Sequence, residues 1–267
     1  MNVNILASRS AIESGEKLPI VYNIHGGGFN AGSNAFGTGE AAGLLARGVM
    51  VISIGYRLGI RGFLYTPEAQ DGAHANWGLL DQTAAMKWSQ GFAPHFGGDI
   101  GRATISGCSA GGEAVFWHYV EEGLGSWPYF QRANAMGMGM NTGGGVEMKT
   151  EHWNQILQAA GCGDIECLRQ LPDSKLVELA EVGDHGGWYM HSYKPVLAYT
   201  WGPVVDNVHI TAEAVTKFEQ EKMRPTTPLA WSYGRDETSG WSGDYLTQLR
   251  RAIPDQEQAI ADAQDRD

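Results

Sequence analysis

One serine stands between two glycines in a pattern that suits nucleophilic chemistry. The segment Gly107-Cys108-Ser109-Ala110-Gly111 fits G-x-S-x-G and lies between a predicted strand and a predicted helix. In such a motif the glycines relieve crowding in a sharp turn, which lifts the serine hydroxyl clear of a sheet. The helix that follows points its N-terminal amides and positive dipole end at that hydroxyl. Ser109 is therefore a candidate nucleophile, and the simpler alternative is a serine that caps the helix.

A second glycine cluster lies upstream, in His25-Gly26-Gly27-Gly28-Phe29, directly after an apolar run. Bare backbone N–H groups in such a run can stabilise the oxyanion that forms during acyl transfer. Two other interpretations stay open at this point. The cluster could be a flexible surface loop, or a phosphate-binding loop, although no G-K-[ST] follows it. Its position upstream of Ser109 is where the hydrolase fold places its donor loop, so the pair of motifs favours a hydrolase more than either motif alone.

The elements that must position these motifs alternate between strand-like and helix-like patterns. Short apolar runs rich in β-formers predict strands, and apolar residues at i, i+4, i+8 predict helices. The predicted strands are residues 2–6, 19–24, 49–54, 103–105, 133–140 and 228–233, and the predicted helices are 78–89 and 111–120, with short helices over 151–183. This alternation predicts an α/β fold with a mostly parallel sheet covered by helices on both faces. No convincing linker is visible, so we expect one domain over residues 1–267.

Composition and charge exclude several other classes of protein. A net charge of -11 disfavours non-specific binding to nucleic acid. The sequence contains no apolar run long enough for a transmembrane helix, and its first residues lack the apolar core of a signal peptide. These features leave the localisation open. With only 3 cysteines, the chain is not a disulfide scaffold.

Beyond these two motifs, long stretches of the sequence resemble the type-B carboxylesterase family, which includes cholinesterases and related lipases. The matching segments follow the family's order and cover nearly the whole chain. They are PIVYNIHGGGFNAGS (19–33), VISIGYRLGIRGFL (51–64), NWGLLDQTAAMKW (76–88), FGGDIGRATISGCSAGG (96–112), AGCGDIECLRQLP (159–172), GPVVDN (202–207) and GRDETSGW (234–241). The resemblance implies an α/β-hydrolase fold and hydrolysis of a small carboxylic ester, with no metal or organic cofactor.

The resemblance also assigns roles to individual residues. Ser109 would be the acylated nucleophile, and Glu237, after the apolar run 228–233, would be the triad acid. The backbone N–H groups of Gly27, Gly28 and Ala110 would form the oxyanion hole. Asp236 stands beside Glu237, and the simpler interpretation of both is an exposed loop charge.

The three cysteines are assigned in the same way. Cys162 and Cys167 match a short disulfide loop of the family, which leaves Cys108 outside any pair. Cys108 also occupies the position before the nucleophile, where the family usually has glutamate. We expect it to be a small, buried, apolar side chain.

The family's histidine has no counterpart. In this fold the triad runs Ser, then Asp or Glu, then His, whereas all 8 histidines here precede Glu237. We therefore expect a hydrolase domain incomplete at both termini, with His185 and His191 as the candidates for a substitute base. The alternatives are a non-catalytic binding or adhesion module, or an inactive fragment on the same fold.

Overall fold

The computed structural model describes residues 2–35, 38–67, 75–138, 146–180, 201–212 and 227–233. The chain divides into two compact units, residues 1–232 and 233–267, and every element below belongs to the first. The expected single domain over the whole chain stays a prediction, because residues 234–267 lie outside the described part.

The described residues form a six-stranded sheet in the order β1-β3-β2-β4-β5-β6. Its strands are β1 (Asn2–Leu6), β2 (Leu18–Ile24), β3 (Met50–Gly55), β4 (Gly98–Cys108), β5 (Arg132–Met136) and β6 (Leu229–Ser232). Only β1, at one edge, pairs antiparallel with its neighbour, and all other pairs are parallel. The predicted mostly parallel α/β sheet is therefore confirmed.

Burial explains which runs became central strands. In β3, the residues from Met50 to Ile54 are all buried, as expected of a parallel strand covered on both faces. In β2, Leu18, Ile20, Tyr22 and Ile24 are buried and alternate with half-buried residues. The continuous apolar run and the alternating run therefore lie side by side at the centre of the sheet.

Eight α-helices connect and cover the strands within the described residues. They are α1 (Arg9–Ser14), α2 (Thr38–Leu45), α3 (Gly59–Phe63), α4 (Trp77–Phe92), α5 (Ala110–Val120), α6 (Val146–Ala160), α7 (Ile165–Arg169) and α8 (Asp173–Leu179). Every residue of α5 is buried, which makes it the central helix of the molecule. No helix in the described ranges is both long and apolar enough to cross a membrane.

Five elements differ from the sequence prediction. The polar segment 8–17, where no helix was expected, contains helix α1, which ends at Gly15 in the left-handed conformation and buries Ala11. Helices α2 and α3 have no counterpart among the predicted elements, and strand β4 spans 98–108 rather than 103–105. Strand β5 ends at Met136 rather than at residue 140, because Gly137 turns to φ 50°. Helix α1 buries only Ala11, so its sequence shows little apolar periodicity. The turn at Gly137 leaves no sign in the alternation of apolar residues that predicted a longer β5.

Candidate active site

Two strand ends meet where the topology of the sheet reverses. Strand β2 lies between β3 and β4 and is parallel to both, so the chain leaves β2 on one side for β3 and crosses over to the other side for β4. Parallel α/β sheets bind ligands at such a switch point, beyond the carboxyl ends of the strands. Ile24 at the end of β2 pairs with Gly107 near the end of β4. The loops that follow these two strands are therefore neighbours.

The segment Gly107–Gly111, the elbow, turns sharply from β4 into α5. Ser109 has φ 58° and ψ -127°, a conformation that few non-glycine residues adopt. A Cβ atom on Gly107 would lie 2.4 Å from the Gly111 carbonyl, and one on Gly111 would lie 2.2 Å from the Ile24 oxygen. Only glycine fits at these two positions, so the two glycines allow the turn, and the Ser109 residue is exposed at its tip.

Ser109 does not act as a conventional helix cap. It occupies the N-cap position of α5, but its side chain makes no capping hydrogen bond. Its backbone is held instead, because its N–H donates to the Met136 carbonyl at 2.9 Å and its carbonyl accepts from the Glu113 N–H at 2.9 Å. The helix-cap alternative for this serine is therefore not what the structure shows.

The segment His25–Phe29, the donor loop, lies directly against the elbow. A Cβ atom on Gly26 would lie 3.1 Å from the Ser109 Cβ and 2.6 Å from the Cys108 carbonyl oxygen. Gly27 and Gly28 have φ 116° and 60°, values that favour glycine. The loop curls back on itself, because the Gly27 carbonyl accepts hydrogen bonds from Asn30 and Ala31.

The structure brings together the residues that the sequence singled out at this edge. Ala110 follows Ser109 at the first position of α5, where amides are not used by the helix itself. Within the described part of the chain, no backbone carbonyl accepts a hydrogen bond from the N–H of Gly27, Gly28 or Ala110. An exposed hydroxyl thus lies beside a glycine loop and a helix N-terminus, an arrangement that can stabilise a developing oxyanion.

His25 fixes the base of the donor loop. Its buried ring donates from Nδ1 to the Gly26 carbonyl at 2.8 Å and stacks on the Tyr56 ring, with centroids 4.4 Å apart. Burial lowers the pKa of His25, and the hydrogen bond to Gly26 only partly offsets this. The ring is therefore a neutral structural part of the loop.

Two further residues at this site were missed by sequence reasoning. Tyr56 directly follows β3 at the same sheet edge, and its hydroxyl donates to the His25 carbonyl at 2.7 Å. Glu113 is a buried carboxylate one turn into α5. The signals were present in the sequence, since Tyr56 ends an apolar strand and Glu113 is the one acidic residue of an apolar helix.

Comparison with known proteins assigns the chain to a family. Residues 1–266 match the model of the carboxylesterase family. The chain belongs to the carboxylesterase family. Gut esterase 1 of Caenorhabditis elegans is 29% identical over 236 residues, which cover 85% of this chain and 39% of that protein. The cocaine esterase of Oryctolagus cuniculus is 33% identical over 189 residues, covering 67% of this chain and 34% of that protein.

Solved carboxylesterase structures share the fold. A Geobacillus stearothermophilus carboxylesterase superposes with a TM-score of 0.74 at 26% identity, over 94% of this chain and 54% of that one. A PNB esterase superposes with a TM-score of 0.76 at 25% identity, over 91% of this chain and 50% of that one. The α/β-hydrolase fold is therefore confirmed, and the chain spans about half the length of these structures.

One expectation about the carboxylesterase elbow is wrong. Cys108 was expected to be a buried apolar residue, but it is exposed. It is the last residue of β4, still paired with Met136 of β5 but directly before the turn at Ser109, where its side chain is not covered like those within the strand.

The disulfide expected from the family resemblance is present. Cys162 and Cys167 are bonded, with Cα atoms 5.5 Å apart. The bridge joins the end of α6 to α7, whose N-cap Asp164 accepts a hydrogen bond from the Cys167 N–H. The loop is therefore closed both by a covalent bond and by a helix cap.

Several described histidines lie far from the elbow. His118 is buried in α5, with Nδ1 3.0 Å from Ser126 Oγ and Nε2 2.9 Å from Gln82 Oε1. The His209 backbone lies against Gly123, beyond the C-terminal end of α5, and α5 is itself about 16 Å long from its start beside Ser109. His95 precedes β4, so it lies at the end of the sheet where this strand begins, opposite to the end that carries Ser109. The position of each of these three histidines excludes it as a base for Ser109.

The remaining predicted site residues lie outside the described part of the chain. These are the triad acid Glu237 and the two candidate substitute bases, His185 and His191. Strand β6, which precedes Glu237 along the chain, is parallel to β5 and ends at Ser232. The role of Glu237 stays a prediction.

Proposed function

We propose that this chain carries the nucleophile and oxyanion hole of a serine carboxylester hydrolase. One observation carries the proposal: an exposed serine in a strained turn lies against a glycine loop and a helix N-terminus. The Ser109 Oγ attacks the ester carbonyl carbon, and the carbonyl electron pair moves to the oxygen. The N–H groups of Gly27, Gly28 and Ala110 stabilise that oxyanion.

The reaction then proceeds through an acyl-serine. Collapse of the tetrahedral intermediate breaks the bond to the alkoxy group, which leaves as an alcohol after taking the proton released by Ser109. Water attacks the acyl-serine in a second, equivalent step, releasing a carboxylic acid and restoring the Ser109 hydroxyl. Each step needs one general base that also returns the proton.

We assign the triad acid to Glu237 by its place in the chain. Strand β6 is two strands from β4 in the sheet, a lateral distance of about 10 Å. In this fold the triad acid follows the nucleophile along the chain, and Glu237 follows β6 in the sequence. Because no histidine follows Glu237 in the sequence, we expect the chain on its own to turn over esters slowly. Loss of the base costs up to about 10⁶-fold in kcat in a serine hydrolase.

A short-chain nitrophenyl ester and a fluorophosphonate probe test the proposal together. We expect slow hydrolysis and covalent labelling, both abolished by Ser109→Ala. Ser106→Ala is the matched control, because Ser106 lies in β4 shortly before the elbow and its hydroxyl accepts a hydrogen bond from Asn134 at 3.1 Å. Two results would refute the assignment: labelling that persists in Ser109→Ala, or the absence of labelling in the wild-type protein.

Turnover near that of an ordinary esterase would have a different meaning. If such turnover depended on Ser109, one of the 8 histidines would have been recruited as the base. His185→Ala and His191→Ala would be the first variants to examine. A complete absence of turnover and labelling would instead favour the alternative of a non-catalytic binding module.

A further inference from the structure

Tyr56 joins β3 to the donor loop by two separate contacts. Its hydroxyl donates to the His25 carbonyl at 2.7 Å, and its ring stacks on the His25 ring with an interplanar angle of 21°. Both groups are buried, with Tyr56 7% and His25 6% exposed. His25, the first residue of the donor loop, is therefore held through both its side chain and its backbone by the residue that follows β3.

The same tyrosine interacts electrostatically with the helix that follows the elbow. Burial raises the pKa of Tyr56, and the charge of the buried Glu113 on α5 raises it further. Glu113 is itself tied to the nucleophile, because its N–H donates to the Ser109 carbonyl at 2.9 Å. A raised pKa keeps the phenol protonated, so that it remains a donor to His25.

We propose that Tyr56 is a positioning residue: through its hydrogen bond to His25 and its stacking on that ring, it holds the Gly26–Gly28 amides against the Ser109 elbow. This inference rests on the proposed function, because it concerns the oxyanion hole of the same site. Oxyanion donors act only when they are aimed at the position where charge develops, and a displacement of about 1 Å can cost about 10²-fold in rate. A loop whose glycines tolerate many conformations needs such an external hold.

The test compares two buried tyrosines. Tyr56→Phe removes the hydroxyl and keeps the ring that stacks on His25. Tyr22→Phe is the matched control: Tyr22 is fully buried in β2, and its hydroxyl accepts from Gln90 Nε2 at 3.1 Å, away from the donor loop. Saturation kinetics of Ser109 labelling by a fluorophosphonate separate the maximal rate from the binding constant of the probe.

We expect Tyr56→Phe to lower the maximal labelling rate about tenfold or more, with an unchanged binding constant, since only the oxyanion geometry is disturbed. Tyr22→Phe should stay within about twofold of wild type. If Tyr56 had a merely structural role, the maximal labelling rate would fall equally in both variants or change in neither. Either result would overturn the proposal.

A second measurement separates this inference from the proposed function. The Ala31 N–H donates to the Gly27 carbonyl at 2.9 Å, so its hydrogen exchange reports on the order of the donor loop even if Ser109 is never labelled. We expect exchange at Ala31 to accelerate about tenfold in Tyr56→Phe and not in Tyr22→Phe. Equal exchange in the two variants would contradict the proposal.

A milder substitution covers the case in which Tyr56→Phe does not fold. 3-Fluorotyrosine placed at position 56 or 22 keeps the ring and changes the donor strength of the hydroxyl. A change in the maximal labelling rate, or in Ala31 exchange, only at position 56 supports the proposal. No change at either position contradicts it.

Discussion

Ser109 is held in a backbone conformation that costs free energy. A non-glycine residue at φ 58° and ψ -127° is strained by about 1–3 kcal/mol. The side chain does not recover this cost as a helix cap, because it makes no capping hydrogen bond. The backbone bonds to Met136 and Glu113 hold the residue in place. Backbone strain that is not recovered locally is typical of functional sites. It therefore supports the proposed role of Ser109 as an exposed nucleophile.

The elbow glycines give a direct test at the residue scale. Gly111→Ala would place a methyl group 2.2 Å from the Ile24 oxygen, so we expect it to destabilise the fold by about 3 kcal/mol and to abolish labelling of Ser109. The expected loss would be measured by urea unfolding and by probe incorporation.

Gly91→Ala is the matched control for that experiment. Gly91 is exposed in helix α4, and an added Cβ would meet nothing within 4 Å. The same chemical change should therefore stabilise the protein by about 0.5–1 kcal/mol, because alanine is the better helix former. An equal effect of the two substitutions would show that steric crowding at the elbow is not what requires glycine there.

At the scale of elements, the sequence predicted what depends on local pattern and on chain order. The apolar run that ends at Ile24 predicts a strand, and the glycines around Ser109 predict the elbow. The pattern of the residues after Ser109 predicts the helix. The approach of Gly26 to Ser109 depends on β2 and β4 being neighbours, which only tertiary pairing decides. Tyr56 could not be assigned a role from sequence for the same reason, since its partner His25 is 31 positions away.

One long-range network fixes the segment 202–207 to the start of α4. Asn76 donates to the Val204 carbonyl at 2.8 Å and to Asp206 at 3.1 Å, and it accepts from the Val204 N–H at 2.8 Å. Asn76 has φ 64°, a left-handed conformation that asparagine tolerates. Backbone and side chain thus both favour asparagine at this buried position.

Asn76→Ala is expected to cost about 3 kcal/mol or more, because it leaves buried polar groups without partners. Asn76→Gly should cost less, since glycine relieves the left-handed strain while losing the same hydrogen bonds. Chemical denaturation of both variants would check the order. An alanine variant as stable as wild type would show that these hydrogen bonds do not hold the segment.

The burial of His118 in α5, where its ring contacts Gln82 of α4, predicts a dependence of stability on pH. Burial lowers the pKa of His118 to about 3, so the ring is neutral in the folded chain. The unfolded chain takes up a proton below the ordinary histidine pKa of about 6.5. The contribution of His118 is therefore complete above that pH and falls as the pH drops from about 6.5 to about 3, by up to about 1.4 kcal/mol per unit.

Unfolding free energies of wild type and His118→Gln across this pH window would isolate the effect. Glutamine cannot take up the proton, so the variant should lose less stability on acidification even though it is less stable near neutral pH. Parallel pH profiles for the two proteins would contradict a neutral, buried His118.

At the scale of the whole molecule, the proposed nucleophile and the proposed oxyanion donors belong to one compact unit. Ser109, Gly27, Gly28 and Ala110 lie within residues 1–232, whereas Glu237 belongs to residues 233–267. The chain also spans about half the length of the solved carboxylesterases that it matches. Without a histidine base both acylation and deacylation are slow, so we expect an acyl-serine formed from an activated ester to persist long enough to be observed.

The most direct test of the account is to trap that acyl-serine. The chain would be incubated with a nitrophenyl ester, quenched in acid and digested for mass spectrometry. The account predicts one acyl group on the peptide that contains Ser109, present in Ser106→Ala and absent in Ser109→Ala. Acylation of Cys108 instead, or of no residue while the ester is still hydrolysed, would contradict the assignment of Ser109 as the nucleophile.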